Sequence, residues 1–312
     1  MTPTLADVRA AADRIRPHAV RTPLVESPAL SALTGGRIFL KLETLQRTGS
    51  FKFRGACNAV AQLPPDRLRA GLVAFSSGNH AQGVAAAAAL FGAPALIVMP
   101  KDVPAAKLEG TRALGAEIVF YDRRSDDREA IAAKLCTERG ATLIKPFDQA
   151  EIIAGQGTVG LEIAEDMAQL GVRPETVLVP CSGGGLASGT AIGLEAAPIT
   201  AGARVRTVEP VNFDGMKRSL EAGRRVAAPG GALSLADALM APMPGALVFE
   251  IARTRLGPGL AVTDEALRRA VAYAAAMLKL VVEPGGAAAL AALLDGAVQG
   301  QVAVVVLSGG NA

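Results

Sequence analysis

A chain of 312 residues with 50% hydrophobic and 20% charged side chains can bury a sizeable core, and it is long enough for two lobes. This balance excludes a disordered chain and a disulfide-stapled miniature. A net charge of +3, with no run of Lys and Arg interleaved with aromatics, argues against a nucleic-acid partner and for small ligands.

Residues Met1 to Arg16 carry Asp7, Arg9, Asp13 and Arg14 on a helical pattern, so no apolar signal core is expected there. Cys57, Cys136 and Cys181 are widely spaced and fit neither a disulfide framework nor a Cys-x-x-Cys site; they read as reduced thiols in a cytoplasm. The first chemical anomaly is Ser50-Phe51-Lys52-Phe53-Arg54-Gly55, just before the helical stretch Ala56 to Gln62. A lysine between two phenylalanines commonly snorkels from an apolar face. The alternative is an amine partly desolvated near a helix start, whose depressed pKa permits a Schiff base with an aldehyde and later base catalysis.

Further along, β-branched runs alternate with Ala-rich helical segments: Leu72 to Ser76 then Ala81 to Phe91, Leu96 to Met99 then Ala105 to Leu114, Glu117 to Tyr121 then Arg128 to Arg139. Val177 to Val179 then Leu186 to Glu195, Val205 to Val208 and Val302 to Leu307 continue the pattern. The apolar stretch Ala81 to Pro100 approaches membrane-spanning length, but Gly92 and Pro94 break it into a helix and a strand. Strands separated by helices predict an α/β protein with parallel sheets covered on both faces. Domain boundaries are placed in the loops Leu63 to Asp66 and Lys145 to Gln149.

In open parallel sheets, ligands bind beyond the carboxyl ends of the strands. Three strands end in turns rich in Gly and Ser: Ser76-Ser77-Gly78-Asn79-His80, Ser182-Gly183-Gly184-Gly185 and Ser308-Gly309-Gly310-Asn311. The second could bring backbone N–H groups against a phosphate at a helix N-terminus, or simply make a tight turn. It matches a dinucleotide fingerprint poorly, because Ser188 stands where Gly or Ala is needed. The first turn could hold a carboxylate, although a helix cap by Asn79 or Ser77 is favoured from that segment alone. With His18 and His80 the only histidines, a zinc site or a His-based Ser triad has little material.

These motifs, in this order and spacing, resemble the fold type II pyridoxal phosphate enzymes, in particular the serine/threonine dehydratase and serine racemase group. The similarity also takes in Ile153-Ala154-Gly155-Gln156-Gly157-Thr158 and Leu280-Val281-Val282-Glu283-Pro284, and so runs over nearly the whole chain. The resemblance implies a tryptophan synthase β-like fold of two open parallel-sheet α/β domains with the active site between them. Residues 1–65 and 147–312 would form a large cofactor-binding domain and 66–146 a small one. It further implies that Lys52 holds pyridoxal 5'-phosphate as a Schiff base and that Phe51 packs on the ring. Asn79 would bond the ring hydroxyl, Ser182, Gly183, Gly184, Gly185 and Leu186 would bind the phosphate, and Ser308 would meet the pyridine nitrogen. Ser76, Ser77, Asn79 and His80 would surround the substrate carboxylate, with Ser77 as the acid or base on the face opposite Lys52.

The implied activity is a dehydratase that converts L-threonine, L-serine or a related β-hydroxy amino acid to a 2-keto acid and ammonia. A neutral Ser308 fits it, because a hydroxyl stabilises a protonated pyridine less than Asp does and so favours prompt loss of a β leaving group. Serine racemase and a dehydratase for 3-hydroxyaspartate or phenylserine are the alternatives; a nucleotide-binding oxidoreductase and a non-catalytic binding protein belong to other classes.

Glu209 matches a divalent or monovalent cation position of the family, or caps locally. Gly215 stands where a racemase-like site has a carboxylate, with Asp214 one residue away. Ala238 stands where relatives have Gly, so its methyl would narrow the pocket. Arg128, near the place of a racemase arginine, is read as a solvated helix residue. The chain ends soon after the Ser308 turn, so no regulatory domain is expected. A homodimer is implied, and no membrane partner.

Overall fold

In the computed structural model, which describes residues 1–103, 105–231 and 233–311, the alternation of strands and helices becomes two sheets. The strands in chain order are β1 (Leu24–Glu26), β2 (Arg37–Leu42), β3 (Leu72–Phe75), β4 (Ala95–Pro100), β5 (Glu117–Tyr121), β6 (Thr142–Leu143), β7 (Thr176–Pro180), β8 (Arg204–Pro210), β9 (Leu260–Val262) and β10 (Val302–Leu307). The larger sheet has the order β1-β2-β10-β7-β8-β9 and the smaller β5-β4-β3-β6. All pairings are parallel except β1 with β2. Strands such as β4 and β7, buried along their whole length, read as unbroken apolar runs because helices cover both faces.

One helix organises the site. Ala150–Leu170 packs against both the Lys52–Val60 helix and the Gly185–Leu194 helix. Its glycines permit this closeness: a Cβ on Gly155 would lie 2.6 Å from the Cα of Gly55, and one on Gly160 would lie 2.1 Å from the Thr190 carbonyl oxygen. The backbones touch where side chains would otherwise hold them apart, so the Ile153-to-Thr158 motif fixes the spacing between the lysine and the glycine turn.

Beneath the lysine helix lies a charged cluster closed off from water. Arg54 donates to Glu43 and Glu162, with the bonds from Nε and Nη1 at 2.8 and 2.7 Å, and Lys41 donates to Glu162 at 2.6 Å. Arg54, Lys41 and Glu43 are almost wholly buried. Two positive and two negative groups cancel, and removing one partner of such a set costs roughly 3–5 kcal/mol. Among the described residues, no helix is long and apolar enough to cross a membrane.

Candidate active site

The carboxyl ends of the two sheets face a cavity of about 190 Å³. The larger-sheet side contributes Phe51, Lys52, Ser182, Gly185, Leu186 and Ser308, and the smaller-sheet side Ser76, Ser77, Asn79 and His80. Of the sequence-predicted site residues, only Gly183, Gly184 and Glu209 are not in its wall. The first two still belong to the turn that frames it.

Lys52 is the first residue of its helix, four positions earlier than the apolar pattern suggests. Its Nζ donates to the Pro146 carbonyl at 2.6 Å and sits 5.2 Å from the centre of the Phe51 ring. Burial without a carboxylate partner pushes its pKa down to about 8. The positive end of the helix acts in the same direction.

Beyond Pro180 at the end of β7, the turn enters the helix Gly185–Leu194 with no side-chain cap. Among the described residues, no acceptor meets the backbone N–H groups of residues 182–187. Gly184 has φ +95°, and a Cβ there would fall 2.4 Å from Met216 Cε; on Gly183 it would strike the Phe147 ring, also at 2.4 Å. Free donors at the positive end of a helix make an anion site, so the turn fits a phosphate.

A second such site contributes to the same cavity wall. The helix Asn79–Leu90 has Gly78 at its N-cap and no side-chain cap bond, so the cap by Asn79 or Ser77 favoured from the segment is not what forms. Ser76 Oγ instead accepts from the Gly78 N–H at 3.2 Å, while Asn79 turns its amide to Glu283 and accepts from Asn311 at 2.8 Å. The N–H groups of Asn79, His80 and Ala81 meet no acceptor among the described residues. Ser77 and Ser308 line the cavity as well, and among the described residues their hydroxyls meet no partner.

His80 is 2% exposed. Its Nε2–H donates to the Ile144 carbonyl at 2.9 Å. That bond fixes the tautomer, and burial together with the nearby Lys52 lowers the pKa to about 3, so the ring is neutral.

Outside the wall, both oxygens of Glu209 accept backbone N–H groups, from Met216 and from Lys217, each at 2.8 Å. The carboxylate caps the helix Gly215–Ala222. Among the described residues, no three His, Cys, Asp or Glu side chains gather as a metal would require. Arg128, expected in solvent, instead lines the cavity with Cζ 5.4 Å from the centre of the Phe75 ring.

The wall also holds Lys107, which no motif marks, and Gln156 and Glu283, which lie in motifs of the resemblance that give them no role. Lys107 pairs with Asp237 across the cavity, and Gln156 and Glu283 are both buried. Burial pushes the Glu283 carboxyl up to about 7. Ala238 lines the wall, its Cβ 3.3 Å from where Gly285 would carry one.

The family model for the pyridoxal-phosphate dependent enzyme matches residues 15–309. An L-threo-3-hydroxyaspartate ammonia-lyase from a Pseudomonas species is 42% identical over 98% of this chain and 94% of its own length. The structure of a threonine deaminase from T.th. superposes with a TM-score of 0.92 at 46% identity, covering 99% of both chains. Maize serine racemase superposes with a TM-score of 0.93 at 36% identity, covering all of this chain and 94% of its own.

Proposed function

The chain belongs to the pyridoxal-phosphate dependent enzyme family, and we propose that it is an ammonia-lyase of amino acid metabolism that converts L-threonine or L-serine to a 2-keto acid and ammonia. One observation carries this: a depressed lysine amine lies in a cavity framed by two uncapped helix N-termini, one suited to a phosphate and one to a carboxylate. When bound, pyridoxal phosphate supplies an aldehyde for amines and a ring that acidifies the α C–H bond of the substrate.

Lys52 is the covalent anchor, and once free it takes the α proton. The N–H groups of residues 182–187 hold the phosphate, and those of 79–81 orient the substrate carboxylate. Ser308 offers the ring nitrogen a neutral hydroxyl. Asn79, with one amide hydrogen left after its bond to Glu283, would bond the ring hydroxyl. Lys52 and Ser77 both line the cavity, and Ser77 would serve as the acid or base on the face opposite Lys52. A cation has poor support, since Glu209 is committed to its helix cap and, among the described residues, no cage of side chains surrounds it.

We place the lobe boundaries at 1–65 with 147–312 and at 66–146, since β3 to β6 all fall in the second segment. A homodimer in a reducing cytoplasm completes the reading. Its support is the absence of disulfides among Cys57, Cys136 and Cys181, and the exposed apolar Met277 and Val281, 58% and 69% accessible.

The test is release of keto acid and ammonia from both enantiomers of threonine, serine and 3-hydroxyaspartate; no release from any L-substrate would overturn the proposal. Arg128, with Lys107 nearby in the wall, favours a second reading in which a β-carboxylate is bound. Under it, Arg128→Ala lowers kcat/KM for L-threo-3-hydroxyaspartate about 10-fold or more while sparing threonine.

A further inference from the structure

The side chain of Asn79 stands in a chain of hydrogen bonds whose direction is set from one end. Asn311 Nδ2 donates to the Thr48 carbonyl and to Asn79 Oδ1, each at 2.8 Å. A backbone carbonyl can only accept, so the Thr48 contact fixes this end of the Asn311 amide as a donor, and the atom of Asn79 that meets it must be the amide oxygen. Asn79 Nδ2 is thereby turned to Glu283 and donates to its Oε1. Both Asn79 and Glu283 are buried and line the cavity.

Glu283 is itself held in place. Its backbone N–H donates to the Gly309 carbonyl at 3.1 Å, and a Cβ added to Gly309 would collide with Oε1 and lie 3.2 Å from Asn79 Nδ2. The carboxyl therefore rests on the turn that carries Ser308 and meets Asn79 there. With one N–H spent on Glu283, the second is the donor that Asn79 can offer a ligand. We propose that Glu283 is a positioning residue that, with Asn311, presents this N–H rather than the amide oxygen to the ring hydroxyl oxygen of pyridoxal phosphate. The inference rests on the contact between Asn79 and the ring hydroxyl in the reading above. A flipped amide would set its oxygen against both the ring oxygen and Glu283, and an ionised hydroxyl or carboxyl has no proton to give it.

Pyridoxal phosphate and its 3-deoxy analogue, which lacks only the ring hydroxyl, test this in titrations of the cofactor-free protein. The effect of the hydroxyl on Schiff-base formation is common to every variant, so a change in the ratio of the two affinities reads the contact with the protein. Glu283→Leu should lower the wild-type preference for pyridoxal phosphate about 3- to 10-fold and alter the affinity for the 3-deoxy analogue less than about 3-fold. Glu283→Gln, whose amide oxygen takes the place of Oε1 as an acceptor, should restore the preference.

An unchanged ratio in a folded Glu283→Leu protein, or equal losses for both compounds, would overturn the proposal, since a merely structural role weakens both alike. Where Glu283→Leu does not fold, Glu283→Asp decides. Its carboxyl falls one methylene short of Asn79, so the preference should shrink, and a wild-type ratio overturns the idea. Asn79→Ala separates the two levels of the reading. A ratio unchanged in Asn79→Ala removes the ring-hydroxyl contact itself, and this inference with it, whereas a ratio that falls in Asn79→Ala and not in the Glu283 variants removes the positioning role alone.

Discussion

The Lys52 amine donates to the Pro146 carbonyl at 2.6 Å, which holds it against the link between β6 and the helix Ala150–Leu170. A carbonyl orients an amine without adding a negative charge, so burial dominates and the pKa drops to about 8 from the usual 10.5.

In the cofactor-free protein, the reactive neutral amine should therefore appear as the pH rises through about 8. The rate at which pyridoxal phosphate attaches should follow the same midpoint, and borohydride should fix the label on Lys52. A midpoint near the ordinary lysine value, or a label mapped to another lysine, would overturn the assignment. Lys52→Ala should lose essentially all elimination, because one side chain supplies both anchor and base.

Gly184 tests the phosphate turn. Its φ of +95° and the nearness of Met216 and Val248 leave no space for a side chain, and an aspartate would add a charge beside the anion. Gly184→Asp should weaken cofactor affinity at least about 10-fold, the loss of one buried hydrogen bond at ~1–3 kcal/mol. A folded variant with unchanged affinity in a cofactor titration would contradict the assignment.

How far the fold can be read from residues depends on whether the deciding contacts are local. β5, the helix Arg128–Arg139 and β10 follow directly from residue pattern: Val119 and Tyr121 of β5 and Ile131, Ala132 and Leu135 of the helix pack on one cluster, and β10 is an apolar run buried almost throughout. The Lys52–Val60 helix starts ahead of its apolar pattern because Arg54 looks like a polar interruption; its charge is absorbed by Glu162, 108 residues away. β2 is hidden in the same way, by Lys41 under Glu162. The long helix Ala150–Leu170 is obscured by Gly155, Gly157 and Gly160, which disfavour a helix in isolation and are required by its neighbours. In the site, turns whose motifs imply a role are legible, whereas Lys107, outside every motif, and Gln156 and Glu283, whose motifs give them no role, are recognised as wall residues only in the folded chain. Nothing in the local sequence around Glu209 separates a ligand from a cap.

Glu209 makes a pH prediction. Burial raises its folded pKa to about 8, with the Asp214 charge adding to the effect and the N–H groups of Met216 and Lys217 opposing it. A carboxyl whose folded pKa lies above its unfolded value of 4.5 contributes stability that is fully present below pH 4.5 and is lost as pH rises through about 8. Glu209→Gln removes the titrating group, so the stability of wild type relative to the variant should fall across that window, by a few kcal/mol at most. Chemical denaturation at several pH values measures it, and a difference that is flat or rises with pH would contradict the burial-driven rise of the Glu209 pKa. A melting temperature lowered by chelators in wild type and not in Glu209→Gln would favour a cation instead.

Ser77→Ala tests the stereochemical part of the proposed function. Under that proposal Lys52 would serve one face of the bound substrate only, so a reaction that begins or ends on the other face would need a second proton carrier. Ser77 lines the same cavity as Lys52, in the turn between β3 and the helix Asn79–Leu90, and its hydroxyl is free of other bonds among the described residues. The helix it precedes has Gly78 at the N-cap and takes no side-chain cap, so Ser77→Ala should cost less stability than the ~0.5–2 kcal/mol of a lost cap. The variant should keep much of the L-specific dehydration that Lys52 starts, and should largely lose turnover of D-serine and any racemisation. Equal losses on both enantiomers would make Ser77 a carboxylate contact that does not discriminate between faces. A wild type inactive on every D-substrate would mark a one-base dehydratase, and the racemase alternative would then fall.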